Sequence, residues 1–205
     1  MGTEVFPFRF HVADYSEGPA PRHYTTESEG GTRYVRSLDA TGRFVAAGTV
    51  ILDGSEDHTY NDWLTFYETT VDFGATSFLF KAVRAAHSKV DGEAAGDATG
   101  AADEEFDFDK KFVDEDSLVV YSDGIKQTLT TDYTVSTPLA SGHITTTASF
   151  DAGAVTFDYD WYHQVRFGPE VFATDILTRD TSLADQGAHA VHVTLYEVTP
   201  GGSDA

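Results

Sequence analysis

Eight histidines, 34 carboxylates and no cysteine set the side-chain chemistry open to this 205-residue chain. His189 and His192 stand three apart, with His163 upstream, and imidazoles are ready metal ligands. On a strand, however, residues three apart point to opposite faces, so these read as surface or sheet histidines. Between 103 and 117 the run DEEFDFDKKFVDEDS gathers Asp107, Asp109, Asp114, Glu115 and Asp116. Calcium takes such oxygen ligands, but the sharp-turn glycine of a helix–loop–helix site is missing, so the run reads as a solvated acidic face. Among so many acids some pair always falls at the roughly 5–9 Å used in glycoside hydrolysis, so abundance removes the signal. The chain has no Gly-x-Ser-x-Gly elbow, no phosphate-cradling glycine loop with Lys and no dinucleotide fingerprint. Without Cys it has no thiol nucleophile, disulfide or cysteine-type zinc site. The expectation is a chain that is not an enzyme and holds no cofactor or metal.

Charge is the strongest global signal. The formal net charge is -21, with 34 acids against 13 Lys and Arg, and both halves share the excess. Residues 1–102 carry 15 acids and 8 bases, and residues 103–205 carry 19 and 5. Asp outnumbers Glu 22 to 12, and only five Lys are present. Self-repulsion on this scale opposes a compact state at low salt, whereas salt near 1 M screens it to roughly 3 Å. The pattern predicts a protein adapted to a high-salt interior. Direct nucleic-acid binding is not expected, because phosphates select Lys and Arg. The start, MGTEVFPFRFHV, lacks the basic-then-apolar form of a signal peptide, and no window approaches the ~20 apolar residues of a membrane span.

The elements that would position side chains are mostly strands. Period-two alternation places Phe6, Phe8, Phe10 and Val12 on one face, opposite Arg9 and His11. Arg33–Leu38 can form a second strand, and 43–52, RFVAAGTVIL, reads as a strand covered on both sides. Val155, Phe157, Tyr159 and Trp161 alternate with polar residues in the clearest strand, and Val191, Val193 and Leu195 mark the last. One helix is expected over about 57–73. Thr59 or Asp57 would cap it, Trp63, Phe66, Tyr67 and Val71 would form its apolar stripe, and Gly74 would end it. A second helix is expected within part of 170–186. The aromatic stripe suits core packing and also a subunit interface.

The predicted fold class is mainly β with one or two short helices. Residues 83–105, rich in small residues and acids, read as an acidic flexible loop or linker. It separates a β-rich domain of 1–82 together with 163–205 from a small antiparallel sandwich or barrel at 106–162. That second module carries turn signals at Asp123-Gly124, Asp132, Ser141-Gly142 and Asp151–Gly153.

The stretch LVVYSDGIKQ at 118–127, TDYTV at 131–135, Gly142-His143-Ile144 and Ala152–Val155 resembles a meander module of viral tail proteins. Gln164-Val165-Arg166-Phe167 and VTLYEV at 193–198 follow, after an earlier Trp63-Leu64-x-Phe66-Tyr67 helix and the strand Ser77–Lys81. In this order the motifs resemble the distal tail protein family of tailed phages and gene-transfer agents, over about 30–198. The family usually has Pro where Gln164 stands, and the first 30 residues and 83–105 depart from it. Some members carry a glycoside-hydrolase label, which nothing in these residues supports. The resemblance implies a tail-tube-like β-sandwich or barrel domain. It also implies a homo-oligomeric ring, usually a hexamer, joining the tail tube protein to the tip hub or fibre proteins in a virion assembled in the host cytoplasm. With the charge it points to a tailed virus of a halophilic archaeon. Candidate interface residues are then Trp63, Phe66, Tyr67, Arg166 and Phe167, with Arg166 a candidate for an ion pair. The alternative is a glycan- or receptor-binding module at the tail tip, with Tyr133, Trp161 and Tyr162 lining a shallow site.

The charge predicts that thermal melts followed in a KCl series will lose their cooperative transition below about 0.5 M salt. Full stability in dilute buffer would contradict the high-salt adaptation.

Overall fold

A computed structural model describes residues 4–20, 23–27, 33–37, 43–52, 54–55, 59–72, 74–136, 142–168, 174–176 and 189–198. In chain order the strands are β1 (Ser16–Ala20), β2 (His23–Glu27), β3 (Arg33–Ser37), β4 (Arg43–Leu52), β5 (Phe78–Phe80), β6 (Lys89–Ala98), β7 (Glu105–Asp107) and β8 (Val119–Ser122). They continue as β9 (Ile125–Lys126), β10 (Tyr133–Val135), β11 (His143–Thr146), β12 (Gly153–Asp160), β13 (His163–Phe167), β14 (Thr174–Ile176) and β15 (His189–Glu197). Helix α1 (Tyr60–Thr65) lies between β4 and β5. The protein is mainly β, with antiparallel sheets that do not close into a barrel. Its contacts divide it into two compact units, Met1–Phe80 with Gln164–Ala205, and Lys81–His163.

The first unit is built on a sheet of order β1-β4-β15-β13-β5, with β14 also pairing β15. The apolar run of β4 makes it an interior strand. It pairs with β15 from His189↔Leu52 to Tyr196↔Val45, which buries Val191, Val193 and Leu195 as their alternation predicts. β1 carries no apolar alternation, and its Pro19, which lacks an N–H, is tolerated because β1 is an edge strand. β2 and β3 form a separate two-stranded sheet. The helix expected within 170–186 is not present at Thr174–Ile176, where β14 runs antiparallel to β15; the remainder lies outside the described residues.

The N-terminal segment differs from the strand its alternation predicts. It is an extended strap held by two isolated bridges, Val5↔Leu79 and Phe10↔Val50. Phe6 and Phe8 are buried, but the chain turns over Val12–Asp14 and leaves Val12 89% exposed. The strap lies so close to β4 that a Cβ on Gly48 would come within 3.1 Å of Tyr15 Cα and 3.2 Å of Phe10 Cδ1.

Thr59 caps α1 in a reciprocal capping box with Asp62; Asp57 lies outside the described residues. After one and a half turns the helix widens into a π-helical segment over Phe66–Thr70, closed by the Val71 N–H on the Phe66 carbonyl at 3.0 Å. Asp72, at φ +46, takes the left-handed position directly beyond Val71, and Gly74, at φ +85, sits in the turn that follows. The expected stripe is retained: Trp63, Phe66, Tyr67 and Val71 are all buried.

The second unit is a small two-sheet sandwich. One sheet has order β10-β11-β7 and the other β6-β12-β8-β9. Phe106, Tyr133 and Ile144 from the first share a core with Val120, Val155, Phe157 and Tyr159 from the second. The predicted meander is therefore split, with β12 pairing β8 and β6 instead of following β11. The Asp123-Gly124 hairpin is as expected, with φ of +46 and +78 across a two-residue turn between Ser122↔Ile125 partners.

The acidic stretch 83–105 is not a loop. Ten of its residues form β6, paired along β12 from Asp160↔Lys89 to Gly153↔Ala98. Its composition hid it for a physical reason. As the edge strand of its sheet it buries only Ala98 fully, so it needs few large apolar residues. The register slips between Val155 and Thr156 and between Phe157 and Tyr159, and Gly92 and Gly96 take positive φ at these irregularities. Acids and bulges protect such an edge from pairing with other chains.

Phe78 is fully buried, with ring centroids 4.8 Å from Phe167, 5.4 Å from Phe66 and 5.7 Å from Phe6. Phe78→Ala is expected to cost about 3–5 kcal/mol in denaturant titrations. A loss below about 1 kcal/mol would show that the cluster does not carry the unit.

Candidate functional site

Three polar clusters stand out from the strands that hold them. The first closes the root of the sandwich. Lys81 places Nζ 2.7 Å from Asp160 Oδ2 and 3.0 Å from Asp114 Oδ2. The same ammonium lies 5.8 Å from the centroid of the Tyr162 ring. Around it the Asp114 N–H donates to the Asp160 carbonyl, Trp161 to Ser88 and Tyr162 to Phe112, each at 2.8–3.0 Å. The Ser88 bond and the Lys81–Asp160 pair join the first residues of the unit to its last, and the other two bonds tie that end to the stretch Phe112–Asp114. Desolvation pulls the Lys81 ammonium down, but Asp160 and Asp114 outweigh it and leave its pKa raised. Burial, and next the charge of Asp114, push the Tyr162 phenol up.

The second cluster lies between β6 and β12. Tyr159, almost fully buried, donates its hydroxyl to Glu93 Oε2 at 2.5 Å, and the Asp109 N–H donates to the other Glu93 oxygen at 2.9 Å. Burial, then the Glu93 hydrogen bond, raises the phenol's pKa, so it stays protonated as a donor. One carboxylate thus ties the edge strand to the core and to the loop after β7.

The third cluster joins the strap to β4 and β15. Thr49 and His192 are register partners, and His192 Nδ1 lies 2.9 Å from Thr49 Oγ1. The Thr49 hydroxyl donates to Asp14, and His11 Nδ1 lies 3.6 Å from the other Asp14 oxygen. A hydroxyl between an acid and an imidazole invites comparison with an activated nucleophile, but the proton order is wrong. The Thr49 bond lowers the Asp14 pKa, so the carboxylate is ionised and can only accept. The single Thr49 hydroxyl proton is engaged in the hydrogen bond to Asp14, so toward His192 the Thr49 oxygen is an acceptor and Nδ1–H the donor. A base that is itself donating to the hydroxyl does not remove its proton.

The structure disperses the sequence candidates. His189 stacks on Tyr60 at 4.8 Å, His192 bonds Thr49, and His163 in the second unit puts Nε2 2.8 Å from the His87 carbonyl. In the acidic run Asp114 serves Lys81, while Asp107, Asp109, Glu115 and Asp116 are exposed. Among the described residues no group of three or more His, Asp or Glu could hold a metal ion. The glycan trio does not form an open platform: Tyr133 is buried, and the Trp161 ring packs against His163 at 4.1 Å with Lys110 Nζ 5.4 Å from its centroid. Of the interface candidates, Trp63, Phe66 and Tyr67 have their side chains in the core of the first unit, with Phe167 5.6 Å from Trp63 and 5.5 Å from Tyr67. Arg166 sits opposite Tyr196 in the β13–β15 ladder. Sequence reasoning missed Lys81, Glu93, Asp14 and Thr49. For Lys81 a signal existed, since a scarce cation among many acids is expected to be paired.

No known protein-family model matches the chain, and no curated protein matches it.

Because Lys81 titrates above its ordinary value, its contribution is complete below the unfolded value near 10.5 and is lost as pH rises through the folded one. Its side chain is 39% exposed, so screening keeps the contribution modest. Lys81→Met is expected to destabilise the protein by about 1 kcal/mol at pH 7, and the difference from wild type should shrink as pH rises beyond the ordinary lysine value of 10.5. An unchanged difference at high pH would rule out the ion pair as its source.

Proposed function

We propose that the chain is a structural tail-tip adaptor of a tailed virus of a salt-loving host. It forms a homo-oligomeric ring between the tail tube and the tip hub or fibres. One observation carries this reading: three of the short motifs of the distal-tail resemblance meet in the core of the first unit. Val165-Arg166-Phe167 and Leu195-Tyr196-Glu197, about 30 residues apart in sequence, are direct register partners in β13 and β15. Phe167 from the first motif packs on Trp63, Phe66 and Tyr67 of the helix motif. The Asp-Gly turn, the Tyr133–Val135 strand and the Gly153 strand build the inserted sandwich. The helix motif and the two strand motifs thus belong to one packing unit, and the turn and strand motifs at 118–155 to the other.

Two further features suit a ring. Titratable side chains are engaged in structural pairs in all three polar clusters. The sheet of the first unit is open, with β1 at one edge, and the two-stranded β2–β3 sheet has no third strand among the described residues. Closed symmetric assemblies use such strand edges and flat faces rather than pockets. The acidic surface fits assembly in molar salt, where repulsion between like-charged copies is screened.

The test is the mass of the purified protein in about 2–3 M KCl, by light scattering with negative-stain imaging. A closed ring of about six copies is expected, as the resemblance implies. A species that stays monomeric both alone and with the tail tube protein of the same virus would overturn the adaptor. Glycan binding by that monomer would establish the tail-tip receptor module in its place.

A further inference from the structure

The chain builds its two units in different ways. Lys81–His163 is one continuous stretch, and every strand pair of its two sheets lies inside it. Its core, which includes Val120, Phe157 and Tyr159, is drawn from that stretch alone. Its ends are fastened to each other. Lys81 Nζ lies 2.7 Å from Asp160 Oδ2, the Trp161 N–H donates to the Ser88 carbonyl at 2.8 Å, and His163 Nε2 lies 2.8 Å from the His87 carbonyl.

The first unit comes in two pieces, Met1–Phe80 and Gln164–Ala205. The sheet order β1-β4-β15-β13-β5 sets β15 and β13, which follow the insertion, between β4 and β5, which precede it. The ladder from His189↔Leu52 to Tyr196↔Val45 joins the two pieces, and Phe167 of the second lies 4.8 Å from Phe78 of the first. Neither piece makes that sheet or that aromatic cluster by itself.

We propose that the sandwich is an autonomous folding unit that forms first, and that its fastened ends then staple together the two pieces of the first unit. While the insertion is unfolded, pairing β5 with β13 closes a loop of about 80 residues, and the weight of such a closure falls roughly as the 3/2 power of loop length. A folded sandwich reduces that loop to its root, equivalent to a few residues, and so favours closure of the first unit roughly 10- to 100-fold. Within the sandwich, the β8–β9, β10–β11 and β8–β12 pairs all form inside Val119–Asp160, so its own nucleus needs shorter closures. The aromatic cluster of the first unit is then the last part of the core to leave water. The inference is independent of the tail-tip reading.

The chain has two Trp, Trp63 in the first unit and Trp161 in the second, so each unit carries its own fluorophore. Trp161→Phe leaves Trp63 as the reporter of the first unit, and Trp63→Phe leaves Trp161 as the reporter of the sandwich. Urea unfolding and refolding of both variants in about 1 M KCl tests the order. The Trp63 signal is expected to be lost at lower urea than the Trp161 signal, and to return at least about tenfold more slowly on dilution. Coincident transitions, or a Trp63 signal that returns first, would overturn the proposal. Phe157 is fully buried, so Phe157→Asp places a carboxylate in the sandwich core and unfolds that unit. In that background Trp63 recovery should slow by about tenfold or more. A disulfide between Lys89→Cys and Asp160→Cys, register partners at the root in a chain with no other cysteine, should restore it. Unslowed recovery with the sandwich unfolded would overturn the staple. So would slow recovery that the disulfide leaves unchanged, which is what a lost contact between the units would give.

Discussion

Aromatic packing against the sheet of the first unit is the interaction on which its other features depend. Phe78 on β5, Phe167 on β13, Phe66 beyond α1 and Phe6 on the strap meet ring to ring at 4.8–6.3 Å. Each comes from a different element, and none of those elements is long. A three-residue β5, a helix of one and a half turns and a strap with isolated bridges are too short to be stable by local hydrogen bonding alone. Burial of large rings, each worth several kcal/mol with an added preference for edge-to-face geometry, compensates. The π-helical widening after Thr65 fits the same constraint, because Phe66, Tyr67 and Val71 all remain buried across it.

The second unit solves a different problem, how an acidic chain keeps a sandwich closed. Its core is apolar, but its edge strand β6 is nearly all small or acidic. Glu93 takes the Tyr159 hydroxyl and the Asp109 N–H, while the Asp158 carboxylate takes the Gly92 N–H at 2.6 Å. Carboxylates here act as hydrogen-bond acceptors for backbone and phenol donors that would otherwise go unmet at an irregular edge. Lys81 adds a cation where two Asp converge. The excess negative charge is thus partly structural.

The proton order at Thr49 shows why a catalytic constellation is not defined by residue types. Thr, His and Asp lie within bonding distance, yet the hydroxyl is a donor to the acid and an acceptor from the imidazole. Activation of a nucleophile requires the reverse relation to the base. The same three residues therefore do mechanical work, pinning a strap across Gly48.

Much of this fold was legible along the chain. The β4 and β15 strands, the burial of Val155, Phe157 and Tyr159, the Thr59 cap and the Asp123-Gly124 turn follow from periodicity and from backbone preferences that act within a few residues. The clusters were not legible, because Lys81 meets Asp160, Glu93 meets Tyr159 and Asp14 meets Thr49 only through register and sheet order. Sequence also left β6 as a linker, since an edge strand draws its partner from β12 and needs no apolar alternation of its own. The strap's pattern of Phe6, Phe8 and Phe10 predicted which face is buried but not the lack of a ladder. Sequence by itself determined which residues avoid water and where the chain turns, because those are local transfer and dihedral preferences. Tertiary structure alone decided which strands are neighbours and which carboxylate meets which donor, because pairing register is set by the whole core at once.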